Sequence, residues 1–263
     1  MNNKTNTRLA SALWIALFAQ TSPVLAEEAT FSLTSGVDYS TGKYGQSQST
    51  DITYIPVIAK YETDSTTFKV TVPWLQITGP GDVVGAEATL VRDNLNRKIT
   101  TESGLGDIVF AATHTIANFG ETHPLTLDVT GKIKFATASE SKGLGTGKND
   151  YIVALDAYKA LGNPVTLFGG LGYKKMGDPD GVNLNNVWFG SMGFSYKFSP
   201  SNSAGLMGDY RQKTLDTSAP LREITAFMTH KFHTQYKIQT YLTHGYSDVS
   251  ADWGGGIMLG HTF

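Results

Sequence analysis

Beyond residue 26, apolar and polar residues alternate with period two through most of the chain. In one stretch Leu125, Leu127, Val129, Ile133 and Phe135 alternate with Thr126, Asp128, Thr130, Lys132 and Lys134. In the next, Tyr151, Val153, Leu155 and Ala157 oppose Asp150, Ala154, Asp156 and Tyr158. Later, Tyr236, Ile238, Leu242 and Tyr246 oppose Lys237, Gln239 and Thr243. Such alternation places one set of side chains on each face of a β-strand. Twelve segments carry it: 30–42, 50–61, 67–77, 104–117, 125–138, 150–161, 165–175, 186–198, 204–214, 221–232, 235–246 and 252–263. Soluble strands average about 5–6 residues, whereas a tilted strand needs about 9–11 to cross a membrane. Most of these segments are long enough to cross.

The connections alternate in length. Residues 62–66, 118–124, 162–164, 199–203 and 233–234 are short, whereas 43–49, 78–103, 139–149, 176–185, 215–220 and 247–251 are mostly longer. Outer-membrane barrels have this asymmetry, with short periplasmic turns, long outer loops and an even strand count. In lipid the apolar face is the outside, and an open sheet edge is not tolerated. The pattern therefore predicts an all-β fold: a transmembrane antiparallel β-barrel of about 12 strands, with both ends in the periplasm. Aromatics near segment ends, among them Tyr61, Trp74, Trp188, Tyr246 and Trp253, fit interfacial girdles. At the end of the chain Ile257, Leu259, His261 and Phe263 share one face, and Gly256, Met258, Gly260 and Thr262 the other. This places Phe263 on the lipid face of a last strand that pairs with the first. It also makes Phe263 the expected contact of the barrel-assembly machinery, with outer-membrane lipids as the barrel's surroundings.

The first 26 residues read as a separate unit. Lys4 and Arg8 precede an apolar core from Leu9 to Phe18, and Val24-Leu25-Ala26 resembles a cleavage site. That core is too short for a spanning helix and has the form of a signal peptide. The expected organisation is a leader over 1–26, cut after Ala26, and a barrel over 27–263. Charged residues are 17% of the chain, fewer than the roughly 25% of a soluble domain. The 21 basic residues, two of them in the leader, stand against 23 acidic ones, so no basic surface suggests nucleic acid. There is no cysteine, as suits an exported protein without disulfides.

Pro56 and Pro73 fall inside two of the segments, although proline removes a ladder donor. A turn centred near Asp64 and Ser65 would set the two prolines opposite each other. Lys60 and Lys69 would then also pair, on the lumen face.

Several motifs suggest chemistry and fail on spacing. Gly143-Leu-Gly-Thr-Gly147-Lys148 looks like a phosphate loop, but Lys142 and Asn149 stand where a glycine and a Ser or Thr are required. His230 and His233 are three apart, on opposite strand faces. His114, His230 and His261 fall on the outward face near the periplasmic rim, so no metal or cofactor is expected. Ser191, Ser195, His114, His230 and His244 could serve a barrel hydrolase, but no motif singles any of them out.

By parity the lumen carries Asp38, Lys60, Lys69, Asp107, Lys174, Lys231 and Lys237. It also carries the set expected to line the passage: Asp128, Lys132, Lys134, Asp156, Asp209, Arg211 and Glu223. Mixed charge on this face predicts a polar pore. A barrel plugged by its own ion pairs is the other arrangement. Loop 78–103, with Glu87, Arg92, Asp93, Arg97 and Lys98, either folds inward as a constriction or caps the outside.

The run Ile55-Pro-Val-Ile-Ala-Lys-Tyr-Glu-Thr63, then Phe68-Lys-Val-Thr-Val-Pro-Trp-Leu-Gln-Ile-Thr-Gly-Pro-Gly81, then Ser103-Gly-Leu-Gly-Asp-Ile-Val-Phe110 resembles outer-membrane transporters of the MetA-pathway-of-phenol-degradation family. Gly131-Lys-Ile-Lys-Phe135, Leu144-Gly-Thr-Gly147, Asp150-Tyr151 and Gly169-Gly-Leu-Gly-Tyr173 fit the same pattern. The resemblance implies an outer-membrane barrel passing small compounds, often aromatic or apolar, and implies no catalytic residues. Passive passage of an unknown small solute is the function expected. A lipid-acting barrel enzyme and a closed structural or adhesive barrel are the alternatives.

Overall fold

The computed structural model describes residues 29–44, 47–81, 84–85, 98–120, 123–162 and 164–263. The expected leader lies outside these residues. The described residues form thirteen strands: β1 (Thr30–Gly42), β2 (Thr50–Glu62), β3 (Thr66–Gly79), β4 (Thr100–Leu105), β5 (Val109–Phe119), β6 (Leu125–Lys134), β7 (Asp150–Ala160), β8 (Val165–Lys175), β9 (Val187–Lys197), β10 (Asn202–Arg211), β11 (Leu221–Phe232), β12 (Tyr236–Gly245) and β13 (Trp253–Thr262). All pairings are antiparallel, and β13 returns to pair with β1, with Leu33 opposite His261 and Val37 opposite Ile257. The sheet therefore closes on itself, and no edge runs the length of the wall.

The ring has twelve positions, because β4 and β5 share one. The lower half of β3, Thr66–Thr71, pairs with β5, and its upper half, Trp74–Gly79, pairs with β4. The single segment expected at 104–117 is thus two strands, and the one expected at 125–138 ends at Lys134. Side chains supply the reason. Asp107 Oδ1 accepts the N–H groups of Thr137 (3.1 Å) and Ala138 (3.0 Å). Thr137 Oγ1 accepts the Ile108 N–H (2.8 Å) and donates to the Gly106 carbonyl (3.1 Å). These bonds replace ladder bonds and turn the chain inward after β6. A Cβ at Gly106 would press on the Leu75 and Pro73 side chains at the crossing.

The hairpin register agrees with the sequence expectation: Pro56 faces Pro73 and Lys60 faces Lys69. The neighbouring β1–β2 ladder is interrupted between Ser35 and Asp38.

Side chains sort by parity. Val37, Val153, Leu155, Leu171, Ile257 and Leu259 are exposed on the outside, as a lipid-facing surface requires. Exposed aromatics mark both rims, among them Tyr61, Phe68, Trp188, Phe232, Tyr246 and Trp253. Phe263 donates its N–H to the Phe31 carbonyl (2.9 Å) and sets its ring 5.5 Å from that of Phe31. His114, His230 and His261 face outward at the rim of short turns, where His114 meets Thr66 (2.9 Å) and His230 meets Asn202 (2.7 Å). With a closed wall, an apolar exterior and aromatic girdles, this is an outer-membrane β-barrel.

Candidate functional site: the lumen

All seven residues expected to line the passage point inward by register, but their surroundings divide them. Asp128 faces Asp156 across β6–β7, with Lys132 and Lys69 within electrostatic reach of Asp156. Asp128, Lys132, Asp156 and Asp209 are only half-buried. Lys134, Arg211 and Glu223 are 3–5% exposed, enclosed near the outer mouth.

Lys134 belongs to a chain of ion pairs. Its Nζ lies 2.8 Å from Asp107 and 3.4 Å from Asp150, which is itself 2.9 Å from Lys174. The strand ladder builds this chain by setting Lys134 opposite Asp150, and Ile152 opposite Lys174. A buried charge persists only when paired in this way. Lys134 also donates to Thr146 Oγ1 (3.2 Å) and the Lys148 carbonyl (3.2 Å), tying loop 135–149 to the wall.

Above these charges, apolar side chains gather at the mouth. Val84, Met176, Leu184, Leu215 and Val249, each from an outer loop or a strand end, pack on Val187 and Leu221 of the wall. Beside them Tyr44, Ala138, Leu144 and Ala251 pack on Ile52, Leu75 and Ile77. Val84 shows that part of loop 78–103 folds inward; Glu87, Arg92, Asp93 and Arg97 lie outside the described residues. Tyr44 holds a left-handed backbone (φ 48) to reach its place, and burial pushes its phenol above the usual tyrosine pKa. At the surface, the Asp180 carboxylate 3.0 Å from Lys148 raises that lysine's pKa.

Lower in the lumen one wall is apolar. Met207, Phe227, Tyr241 and Met258 form a buried cluster with Phe168 packed against it. Each large side chain is seated opposite a glycine on the next strand: Phe168 opposite Gly193, Phe227 opposite Gly205, Tyr241 opposite Gly256, Met258 opposite Gly36. A Cβ at any of these glycines would collide with the large partner. Alternating large and small residues in this way fills a narrow barrel. The Tyr241 hydroxyl crosses Gly256 to donate to Asp38 (2.5 Å). Reading charged lumen residues alone missed this wall. Its signal was glycine on the inward parity of β1, β9, β10 and β13.

Ser191 and Ser195 point into the lumen, opposite Asp209 and Gly205, whereas His114, His230 and His244 point outward. None of these serines shares a face with any of these histidines. Among the described residues no group of three or more His, Cys, Asp or Glu is placed to hold a metal ion.

The barrel is similar to known folds. An outer-membrane channel from Pseudomonas putida F1 superposes with a TM-score of 0.71 at 13% identity, over 91% of this chain and 97% of that one. The translocator domain of the autotransporter NalP from Neisseria meningitidis superposes with a TM-score of 0.50 at 13% identity, over 91% of each chain. No curated protein sequence matches. A family model does match, over residues 33–232, so that it takes in the paired prolines, the β4–β5 break and the ion-pair chain. The chain belongs to the family described as "Putative MetA-pathway of phenol degradation".

Proposed function

We propose that this barrel is a passive outer-membrane channel for small molecules with substantial apolar surface, aromatic compounds among them. The observation that carries the reading is the pair of buried apolar clusters at the outer mouth. An ion passing those clusters must shed water against side chains that return no hydrogen bonds. A small apolar solute pays no such penalty and continues along the wall of Phe168, Phe227 and Met258. The half-buried charges on the opposite wall keep the lower lumen wet. The family's description in terms of phenol degradation, and the likeness to an outer-membrane channel of Pseudomonas putida F1, support the same reading.

The β4–β5 break favours a second exit for such solutes. There β4 pairs with β3 on one side, and side-chain bonds from Asp107 and Thr137 stand in for a ladder toward β6. A small cavity beside the break is lined by Pro73, Leu75, Val109 and Leu144 and also by Tyr54, Thr146 and the Asp107–Lys134 ion pair.

The test combines single-channel conductance in a planar bilayer with uptake of an aromatic solute into liposomes. We expect small, discrete conductance and solute entry well above that of protein-free vesicles. A folded barrel that neither conducts nor admits solute would end the channel reading.

A further inference from the structure

One row of the inner wall is acidic. Along the hydrogen-bonded register from β11 to β6, Glu223 stands opposite Asp209, and Asp209 opposite Ser191. Ser191 stands opposite Gly170, Gly170 opposite Asp156, and Asp156 opposite Asp128. The row faces the lumen, and its carboxylates are separated only by a serine and a glycine. Like charges directly opposite on adjacent strands oppose pairing. Both Glu223–Asp209 and Asp156–Asp128 are such pairs.

The two ends of the row are compensated differently. At the β6–β7 end, Lys132 and Lys69 lie within electrostatic reach of Asp156, and Thr115 donates to Asp128 (2.8 Å). At the β10–β11 end, Asp209 stands between Ser191 and Glu223, and neither carries positive charge. Glu223 has Arg211 within reach, but also Asp209 and, from β1, Asp38. Three carboxylates thus meet one guanidinium. Their hydrogen bonding is also uneven. Tyr241 donates to Asp38 (2.5 Å), and the Ala251 N–H donates to the Glu223 carboxylate. Glu223 Oε1 has no hydrogen-bond partner among the described residues, although Glu223 is only 4% exposed. A buried carboxylate oxygen in that position calls for a donor, and its surroundings call for positive charge. The pair can be reached from below, because Asp209 is half-buried beside the lower lumen while Glu223 is enclosed above it. No three acidic or histidine groups among the described residues are placed to hold a metal ion, so a cation that spans separate carboxylates through N–H groups suits them better.

We infer that Asp209 and Glu223, with Asp38 behind them, form a binding site for a primary ammonium group that enters from the lower lumen. An ammonium carries three N–H donors together with its charge. It can bond Glu223 Oε1 and the Asp209 carboxylate at once, by charge-assisted hydrogen bonds, and it lessens the repulsion between them. The Ser191 hydroxyl, opposite Asp209, is a further acceptor. The site is independent of whether the barrel conducts.

The test is thermal unfolding of the intact, detergent-folded barrel in the chloride salts of sodium, methylammonium and tetramethylammonium at equal ionic strength. A ligand that binds only the folded state raises the midpoint. Tetramethylammonium has the charge but no N–H to donate. We expect methylammonium to raise the midpoint by about 2–4 °C over the other two salts, the shift that a modest affinity gives a chain of this size. Asp209→Asn should lose that rise and, with one carboxylate fewer, unfold no lower than the parent in sodium chloride. Asp248→Asn, exposed in the loop between β12 and β13, should keep the full rise. No rise in the parent with methylammonium, or an equal rise with tetramethylammonium, would overturn the site whatever the variants do. An equal rise in Asp209→Asn would overturn it as well.

Discussion

Pro56 and Pro73 stand opposite each other across the β2–β3 hairpin, both turned into the lumen, in a stretch where the ladders on either side of the hairpin are also interrupted. The β1–β2 ladder breaks between Ser35 and Asp38, β3 changes partner at Val72–Pro73, and β4 gives way to β5 at Gly106–Ile108. Neither proline can donate to a ladder. Amide hydrogen exchange at residues 55–58 and 72–75 should therefore run at least tenfold faster than in β10–β12. Protection equal to that of those strands would show that the wall is not loosened there.

Asp107 takes two backbone N–H groups and the Lys134 ammonium while only 10% exposed. Asp107→Ala leaves those donors and a buried cation without their acceptor, at a cost of about 3–5 kcal/mol. The loss should appear as a lower unfolding midpoint in urea. Adding Lys134→Met should recover part of it, because the stranded charge is then gone.

Lys132 and Lys134 lie on the same face two residues apart, yet they should respond differently to charge reversal. Lys132 is half-buried beside the open lumen, so Lys132→Glu should leave the fold intact and shift ion selectivity toward cations. Lys134→Glu would set a carboxylate among Asp107 and Asp150 and should sharply reduce the yield of folded barrel. Reversal potentials under a salt gradient decide the first, and a heat-modifiable gel shift the second. Unchanged selectivity with Lys132→Glu in a conducting barrel would remove that residue from the pathway.

We propose that Phe263 is read during assembly as well as packed afterwards. Its deletion removes the N–H bond to Phe31 and the ring contact beside it. The expected result is slower appearance of folded barrel in the outer membrane with little change in the stability of what does fold. Normal assembly kinetics would confine Phe263 to a packing role.

The hairpins were legible in the sequence because a short turn fixes register. Once Asp64 and Ser65 are placed in the turn, proline must meet proline and lysine must meet lysine. The β4–β5 break was not legible, because Gly104 to Ala117 alternates like any strand. What interrupts it is the Asp107 carboxylate meeting Thr137, about thirty residues away. Parity likewise gave the inward charges but not their exposure. Whether Glu223 or Asp156 meets water depends on Val84, Met176, Leu184, Leu215 and Val249 gathering at one mouth, and alternation within a strand carries no record of that.

The pairing of β1 with β13 also orders events in time. Thr30–Gly42 emerges early in synthesis and must wait more than two hundred residues for Trp253–Thr262 before one of its two edges is satisfied. Loop closure over that distance is slow and entropically costly. Until it happens the sheet is an open ribbon with an adhesive strand at each end. The wall becomes a vessel with an inside and an outside only when Trp253–Thr262 takes its place beside Thr30–Gly42.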